Sequence, residues 1–560
     1  MFARLLCVLL SASVFSAQAN TDAWAHGAMA ATANPYATDA AIEMLSEGGH
    51  AVDAAIAAHL VLGLVEPQSS GIGGGGFLLV FERSSGALTF HDGREVAPSA
   101  ARSDMFMSDG EVMPFIDAWQ SGKSIGVPGA VALYKQAHDR HGRLPWAQLF
   151  QPALQLALEG FEVSPRLADM LGRMASFTRL DENSGAAEHF YPQGKPLEAG
   201  QLRKNPDYAK TLAVLAENGP SAFYTGSIAK AIVAAAQAEP EPGLLTLTDL
   251  KNYAPTTRSV ICGPFKAVSI CSASPPSSGG AQIMIARLYE HLLAQSETAD
   301  KMQAFVDAQR MAYADRDRYF ADPDYVDVPV KALLDADYLR RRALQKPRPD
   351  AEPQHGNPGL VQVPGTDTTQ EPSGTTHLSI VDNEGNAVSF TATVEAPFGS
   401  ARWVQGFLLN NEMTDFARRY DGEEELPANA VAGGKRPRSS MSPTFVFDAA
   451  GDLLLVTGSP GGNSIPAYVS KTIIGLLDWG LSAQQAVDFP NIVARGKKVR
   501  VETGVPGGVA IAEGLKSAGY EVQEREGENS GIHLIYVTDA GLIGAADTRR
   551  EGTVRRWTQP

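Results

Sequence analysis

At 560 residues the chain exceeds the ~250–300 at which one hydrophobic core stops growing, so two core regions or one large layered fold are expected. Its 44% hydrophobic and 20% charged content is that of a soluble globular protein. A formal net charge of −16 argues against nucleic acid or an anionic membrane surface as partner.

Residues 1–19 read as a secretory signal: Arg4 gives a positive start, 5–14 an apolar run, and Ala17-Gln18-Ala19 a small-x-small cleavage site. The run is too short to span a bilayer, and Cys7 lies too far from the cut for a lipoprotein anchor. No later stretch looks transmembrane, so a soluble mature protein, periplasmic or secreted, is expected. Segments 38–46 and 52–64 carry helical patterning, and the second is apolar nearly all round, which marks a buried helix. Gly71-Ile72-Gly73-Gly74-Gly75-Gly76 matches the dinucleotide pattern G-x-G-x-x-G, but that fingerprint follows a strand and opens a helix. Here a helix precedes, and strands 77–81 and 88–91 follow, so these glycines are read as sites of close backbone approach. Arg94, in Asp92-Gly93-Arg94-Glu95-Val96-Ala97-Pro98, is by itself an ordinary surface charge.

The region 124–340 is mostly helical, with segments at 130–138, 152–158 and 228–239. His138 and His141 have no third ligand nearby, and read as a solvated helix end; no metal is expected. Strands at 259–263 and 268–271 around Lys266-Ala267 bring Cys262 opposite Cys271. In an oxidising compartment this is a hairpin disulfide, two buried thiols being the alternative. Pro275 to Gly280 and the segment 312–329, with Arg316, Asp317, Arg318 and Tyr319, read as scaffold. Residues 345–374 lack periodicity and form a loop or tail.

Residues 376–382 and 387–393 largely alternate apolar and polar, and Asn383-Glu384-Gly385 between them has the composition of a three-residue hairpin loop. Counting outward from that loop pairs Thr375 with Thr393, which brings two hydroxyls together. A tail running through Gly374 into a threonine-led strand suits a precursor cut at Gly374-Thr375. The cut would give Thr375 a free α-amine beside its own hydroxyl, an activated nucleophile.

Gly374-Thr375-Thr376-His377, followed by Asp382 and Gly385-Asn386-Ala387-Val388, resembles the small-subunit start of the gamma-glutamyltransferase family, and the likeness runs from about residue 25 to the C-terminus. The resemblance implies an α+β fold, a four-layer αββα sandwich of the N-terminal-nucleophile hydrolase type. A signal at 1–19, a large subunit at 20–374 and a small subunit at 375–560 would form a heterodimer after self-cleavage. It implies transfer of a γ-glutamyl group from glutathione to water or to an amino acid or peptide, without a cofactor. Arg94 would grip the substrate α-carboxylate with Ser439 and Ser440, and Glu412 and Asp415 the α-ammonium. Given Thr375 as nucleophile, the glycine turn before a helix at about Ile465 assigns the Gly461 and Gly462 amides to an oxyanion hole. Ser459 sits in no G-x-S-x-G elbow. Segments 406–410, 453–456, 499–502 and 532–537 read as strands.

Two features depart from the family. Loop 417–438 is short and lacks the tyrosine-bearing lid segment, and Glu395 stands where a substrate-contacting Asn is often found. Glu395 opposes the substrate carboxylate, joins the ammonium site or faces away from the pocket, and the second is the expectation. It also keeps open a related acylase acting on glutaryl-type side-chain amides, such as a glutaryl β-lactam. A catalytically dead binding protein is the rival from another class, against which the intact Gly374-Thr375 junction and Thr393 speak.

Overall fold

The computed structural model describes Trp24 and residues 26–108, 110–418 and 425–558. The signal read at 1–19 and the middle of loop 417–438 lie outside them.

Two antiparallel sheets are stacked between helices. The first holds β1 (Ala28–Thr32), β2 (Gly75–Glu82), β3 (Ala87–Gly93), β4 (Thr256–Arg258), β7 (Gly374–Val381), β8 (Ala387–Glu395) and β13 (Thr553–Trp557). Their order is β13-β1-β7-β8-β2-β3-β4. The second holds β5 (Val260–Phe265), β6 (Val268–Ala273), β9 (Thr444–Phe447), β10 (Leu453–Gly458), β11 (His533–Thr538) and β12 (Gly541–Ala546), in the order β12-β11-β10-β9-β6-β5. On the outer face of the first sheet, Leu78, Val80, Leu378, Ile380, Val388 and Phe390 pack against α1 (Pro35–Ser46), α2 (Ala51–Val65) and α3 (Ala130–His141). Phe77, Leu79 and Phe81 turn the other way, into a core shared with Phe445, Phe447, Leu455 and Val456 of the second sheet. That core continues to α4 (Gly279–Leu293), α5 (Lys301–Tyr319) and α6 (Ile465–Leu477). The result is a four-layer αββα sandwich.

Local sequence explains the elements that carry the site. Asn34 caps α1, its side chain accepting from Tyr36 N at 3.0 Å, with Pro35 in the first turn. Every residue of α2 is buried, as its all-round apolarity requires. The glycines at 73–76 sit where the chain passes close to its neighbours. A Cβ on Gly74 would run into Thr393 O, and one on Gly76 would meet Thr391 O. Cys262 and Cys271 are cross-strand partners joined by a disulfide. Segment 406–410 keeps only Phe407–Leu408 as strand, because Gly406 turns at φ +96°. His141 is not solvated: its Nδ1 lies 2.5 Å from Glu82 Oε1. Among the described residues no group of three His, Cys, Asp or Glu is arranged to hold a metal.

The β7–β8 hairpin follows the register counted from its loop, Thr375 opposite Thr393 and Val381 opposite Ala387. Its polar face does not meet water. Thr375, His377 and Ser379 oppose Thr393, Thr391 and Ser389, and all six are buried between the sheets. His377 Nδ1 is 2.9 Å from Thr391 Oγ1, and its Nε2 is 3.0 Å from Ser379 Oγ. Ser379 donates to His533 O at 3.0 Å and Ser389 to Thr457 O at 2.9 Å, so the hairpin is bonded across the sandwich. Burial and the neighbouring His533 hold His377 well below the usual imidazole range, so this layer stays neutral.

Candidate active site

Thr393 Oγ1 is the hub of the site. It donates to Gly374 O at 2.8 Å, accepts from Glu395 N at 2.8 Å, and lies 3.1 Å from Thr375 Oγ1. A threonine hydroxyl has one proton and two lone pairs. With that proton committed to the Gly374 carbonyl, Thr393 can only accept from Thr375, so the Thr375 O–H points at Thr393. One side chain thereby polarises the carbonyl before the nucleophile and orients the nucleophile itself.

The strand is bulged at this point. Gly374 pairs with Glu395 while Thr375 pairs with Thr393, leaving Val394 as the extra residue. A Cβ on Gly374 would run into Glu395 O and Ala396 O, so no larger residue fits there. Glu395 is held at φ +79°, a conformation costing a non-glycine residue on the order of 1–3 kcal/mol. The turn brings its carboxylate into the small pocket that Thr375 shares with Arg94, Glu412, Asp415, Ser439 and Ser440. Asn411 Nδ2 donates to that carboxylate.

Arg94, just after β3, is buried and forms ion pairs with Glu412 and with Asp415, the latter at 2.6 Å. Its Nε donates to Pro437 O at 3.2 Å and its Nη2 to Arg438 O at 2.8 Å. Glu412 and Asp415 come from one 3₁₀ turn, Glu412–Asp415. Three buried carboxylates, Glu95, Glu412 and Asp415, thus face one guanidinium, and a fourth, Glu395, lies against Glu412 and Asp415. Burial pushes Glu395, Glu412 and Asp415 well above the usual carboxylate range, and their mutual repulsion adds to it; Arg94 offsets part of this for Glu412 and Asp415. Burial raises Glu95 to about 7. The pocket thus carries more carboxylates than its one guanidinium balances, which favours a second cation there.

Ser439 and Ser440 are held by the segment read as scaffold, Ser278 Oγ donating to Ser439 O at 2.7 Å. Ser439 Oγ accepts from Met441 N at 3.2 Å, and Ser440 Oγ from Arg316 Nη2 at 2.6 Å. Ser439 thereby keeps its hydroxyl proton for a ligand, while the Ser440 side chain also bonds the Glu371 carboxylate. Gly461 and Gly462 have φ of +137° and +55° at the entry to α6. Gly462 lines the Thr375 pocket, whereas Gly461 faces a neighbouring cavity of about 750 Å³. The pocket itself has only about 10 Å³ free, because Glu371 and Pro372 of the preceding tail lie between it and that cavity.

Arg316 and Glu371 escaped the sequence reading. Arg316, taken as a scaffold charge, is fully buried and donates to Ser278 Oγ, Ser440 Oγ and Glu371. Burial alone would raise Glu371, but Arg316 and Arg438 outweigh it and hold this carboxyl at about 2. Arg550 also escaped: its Nη1 donates to Thr375 O at 2.9 Å. Only Glu95, adjacent to Arg94, had a visible signal, because a lone arginine buried after a strand needs a nearby carboxylate.

A sequence profile of the Gamma-glutamyltranspeptidase family matches residues 37–557. The chain is 36% identical over 539 residues to a glutathione hydrolase proenzyme of Escherichia coli K12, covering 93% of this chain and 90% of that one. A Bacillus subtilis 168 glutathione hydrolase proenzyme is 34% identical over 543 residues, covering 94% and 90%. Among solved structures, a cephalosporin acylase from Bacillus halodurans superposes with a TM-score of 0.82 at 26% identity, covering 99% of this chain and all of that one.

Proposed function

The chain belongs to the gamma-glutamyltranspeptidase family, and from that premise we propose that it is a self-processing gamma-glutamyltransferase and glutathione hydrolase with Thr375 as nucleophile. The observation that carries this is the hydroxyl pair Thr375–Thr393, set directly after a carbonyl that Thr393 already polarises.

Self-cleavage begins with Thr375 Oγ attacking the Gly374 carbonyl carbon. Gly374 shifts from nitrogen to oxygen, and water hydrolyses the ester to a Gly374 carboxylate and a free Thr375 amine. A large subunit, 20–374, and a small subunit, 375–560, remain together through the shared sandwich. Release of the tail at Glu371-Pro372 joins the pocket to the larger cavity. In turnover, Thr375 Oγ attacks the γ-carbonyl of the donor amide, and its proton passes to the α-amine and then to the leaving amine. Water, or an acceptor amino acid or peptide, resolves the acyl-enzyme by the reverse proton path. Gly462, with Gly461 before it, supplies backbone N–H to the tetrahedral oxyanion.

In the pocket, Ser439 and Ser440 donate to the substrate α-carboxylate, and Arg94 supplies the compensating positive charge. Glu395, Glu412 and Asp415 receive the α-ammonium. This charge balance favours a γ-glutamyl over a glutaryl group, which lacks the ammonium and would leave excess carboxylates unpaired. The likeness to a cephalosporin acylase supports the second reading, a glutaryl amide acylase. Comparing purified enzyme on glutathione, glutamine and a glutaryl amide separates the two: γ-glutamyl turnover is expected to dominate, and a glutaryl preference overturns the assignment. The segment 1–19 and the Cys262–Cys271 bond support export as a soluble protein. No helix among the described residues is long and apolar enough to cross a membrane.

A further inference from the structure

The Asp382 amide donates to Asn386 O at 2.9 Å, so the hydrogen-bonded pairs of the β7–β8 ladder are those containing even residues of β7. Thr375 and Thr393 are therefore a pair whose backbone N–H and C=O groups point away from each other. On that far side β1 should pair with β7, but its register ends at Ala31 opposite Ser379. The first residues of β7 run past the end of their neighbour. Thr375 N and O both face this open edge.

Arg550 fills it. The residue lies in the turn between β12 and β13, buried, and its side chain donates to backbone carbonyls. Nη1 donates to Thr375 O at 2.9 Å, Nη2 to Asn529 O at 3.0 Å, and Nε to Ser530 O at 3.2 Å. No carboxylate among the described residues pairs with it at ion-pair distance. Glu66, at the end of α2, and Asp547 act on it only from further away, and Arg166 opposes it. A buried cation without a salt bridge is costly, and such residues cluster where function demands them. Burial and Arg166 bring it down to about 9, which still leaves it charged at neutral pH.

We propose that Arg550 is a positioning residue: it caps the open edge of the nucleophile strand at Thr375 O and, as a fixed cation beside the α-amine released by cleavage, keeps that amine neutral. The need for it lies across the pocket. Glu371, Glu395, Glu412 and Asp415 face Thr375 from the tail, the bulge and the 3₁₀ turn, and each in its ionised form favours a protonated amine. Arg94 offsets Glu412 and Asp415 on the substrate side, Arg316 and Arg438 offset Glu371, and His377 on the same strand is neutral. On the far edge Glu66 would add to the acidic side, and Arg550 and Arg166 oppose it. Since N and O of Thr375 lie on one edge, the guanidinium that grips the carbonyl also lies on the edge that the base faces.

This rests on the nucleophile reading above, and one experiment separates the two. The pH dependence of kcat is measured for wild type, Arg550→Gln and Arg550→Lys. In parallel, the rate at which cyanate carbamylates the Thr375 amine of matured protein follows the amine's protonation without turnover. Arg550→Gln is expected to move the acid limb of kcat, and the cyanate profile, upward by about one pH unit. That lowers kcat about tenfold at neutral pH and leaves KM unchanged. Arg550→Lys keeps the charge but cannot reach three carbonyls, so its limb stays in place while kcat falls. Limbs and cyanate profiles unchanged in Arg550→Gln overturn the proposal and leave the nucleophile intact. A small subunit that does not start at Thr375 overturns the underlying reading and the proposal with it. Should Arg550→Gln not mature, Arg550→Lys decides, and a limb displaced upward in that variant overturns the proposal.

Discussion

Thr393 Oγ1 donates to Gly374 O at 2.8 Å while it lies 3.1 Å from Thr375 Oγ1, so one hydroxyl serves both the bond to be cut and the group that cuts it. Thr393→Val removes both contacts and leaves the strand intact. Loss of one such donor typically slows acyl transfer about 10²–10³-fold. Self-cleavage followed on denaturing gels should slow by that order, and Thr393→Ser should recover most of it. Wild-type cleavage in Thr393→Val would remove Thr393 from the reaction.

Glu395 sits with Glu412 and Asp415 rather than apart from them. At an effective dielectric near 20, unit charges ~4 Å apart interact by roughly 4 kcal/mol, so its charge matters to any ammonium bound there. Glu395→Gln should raise KM for glutathione about 10- to 100-fold and narrow the gap to glutaryl amides. A lower KM for glutathione would make Glu395 a liability to the carboxylate instead.

The buried group of Arg316 and Glu371 makes the uncut chain acid-sensitive. Glu371 is held at about 2, below its usual 4.5, so its contribution is complete above that usual value and is lost as pH falls toward the lower one. The difference corresponds to about 3 kcal/mol. Thermal melts of uncut Thr375→Ala should fall between those two pH values, and Thr375→Ala/Glu371→Gln should fall less. Arg316→Ala takes the nearer of its two arginines from the buried Glu371 and leaves only Arg438 at 3.7 Å, which costs up to roughly 3–5 kcal/mol. Equal acid sensitivity with and without Glu371 would contradict the pairing.

The α-amine works only when neutral, and an unperturbed one titrates near ~7.7–8.0. kcat is expected to rise with pH along one limb at or below that value. A profile flat from acid to alkaline pH, with acylation rate-limiting, would count against the amine as base.

Much of this was legible where the controlling interaction is local. The three-residue loop at Asn383-Glu384-Gly385 sets the hairpin register, and with it the Thr375–Thr393 pair eight residues away along the strand. The turn at Lys266-Ala267 likewise brings the two cysteines together. Distant partners left no such trace. Arg316 reaches Ser440 across 124 positions and Arg550 reaches Thr375 across 175, and nothing in either neighbourhood distinguishes them from solvated charges. The left-handed φ of Glu395 was hidden for another reason: a bulge depends on both strands, and Val394-Glu395 carries no glycine to announce it.

The most direct test of the account is the intact mass and N-terminal sequence of purified wild type beside Thr375→Ala. Wild type should resolve into two fragments, the smaller beginning at Thr375, and should turn over γ-glutamyl amides. Thr375→Ala should remain a single chain without activity. A Thr375→Ala protein that stays uncut yet hydrolyses glutathione would contradict the account at its centre.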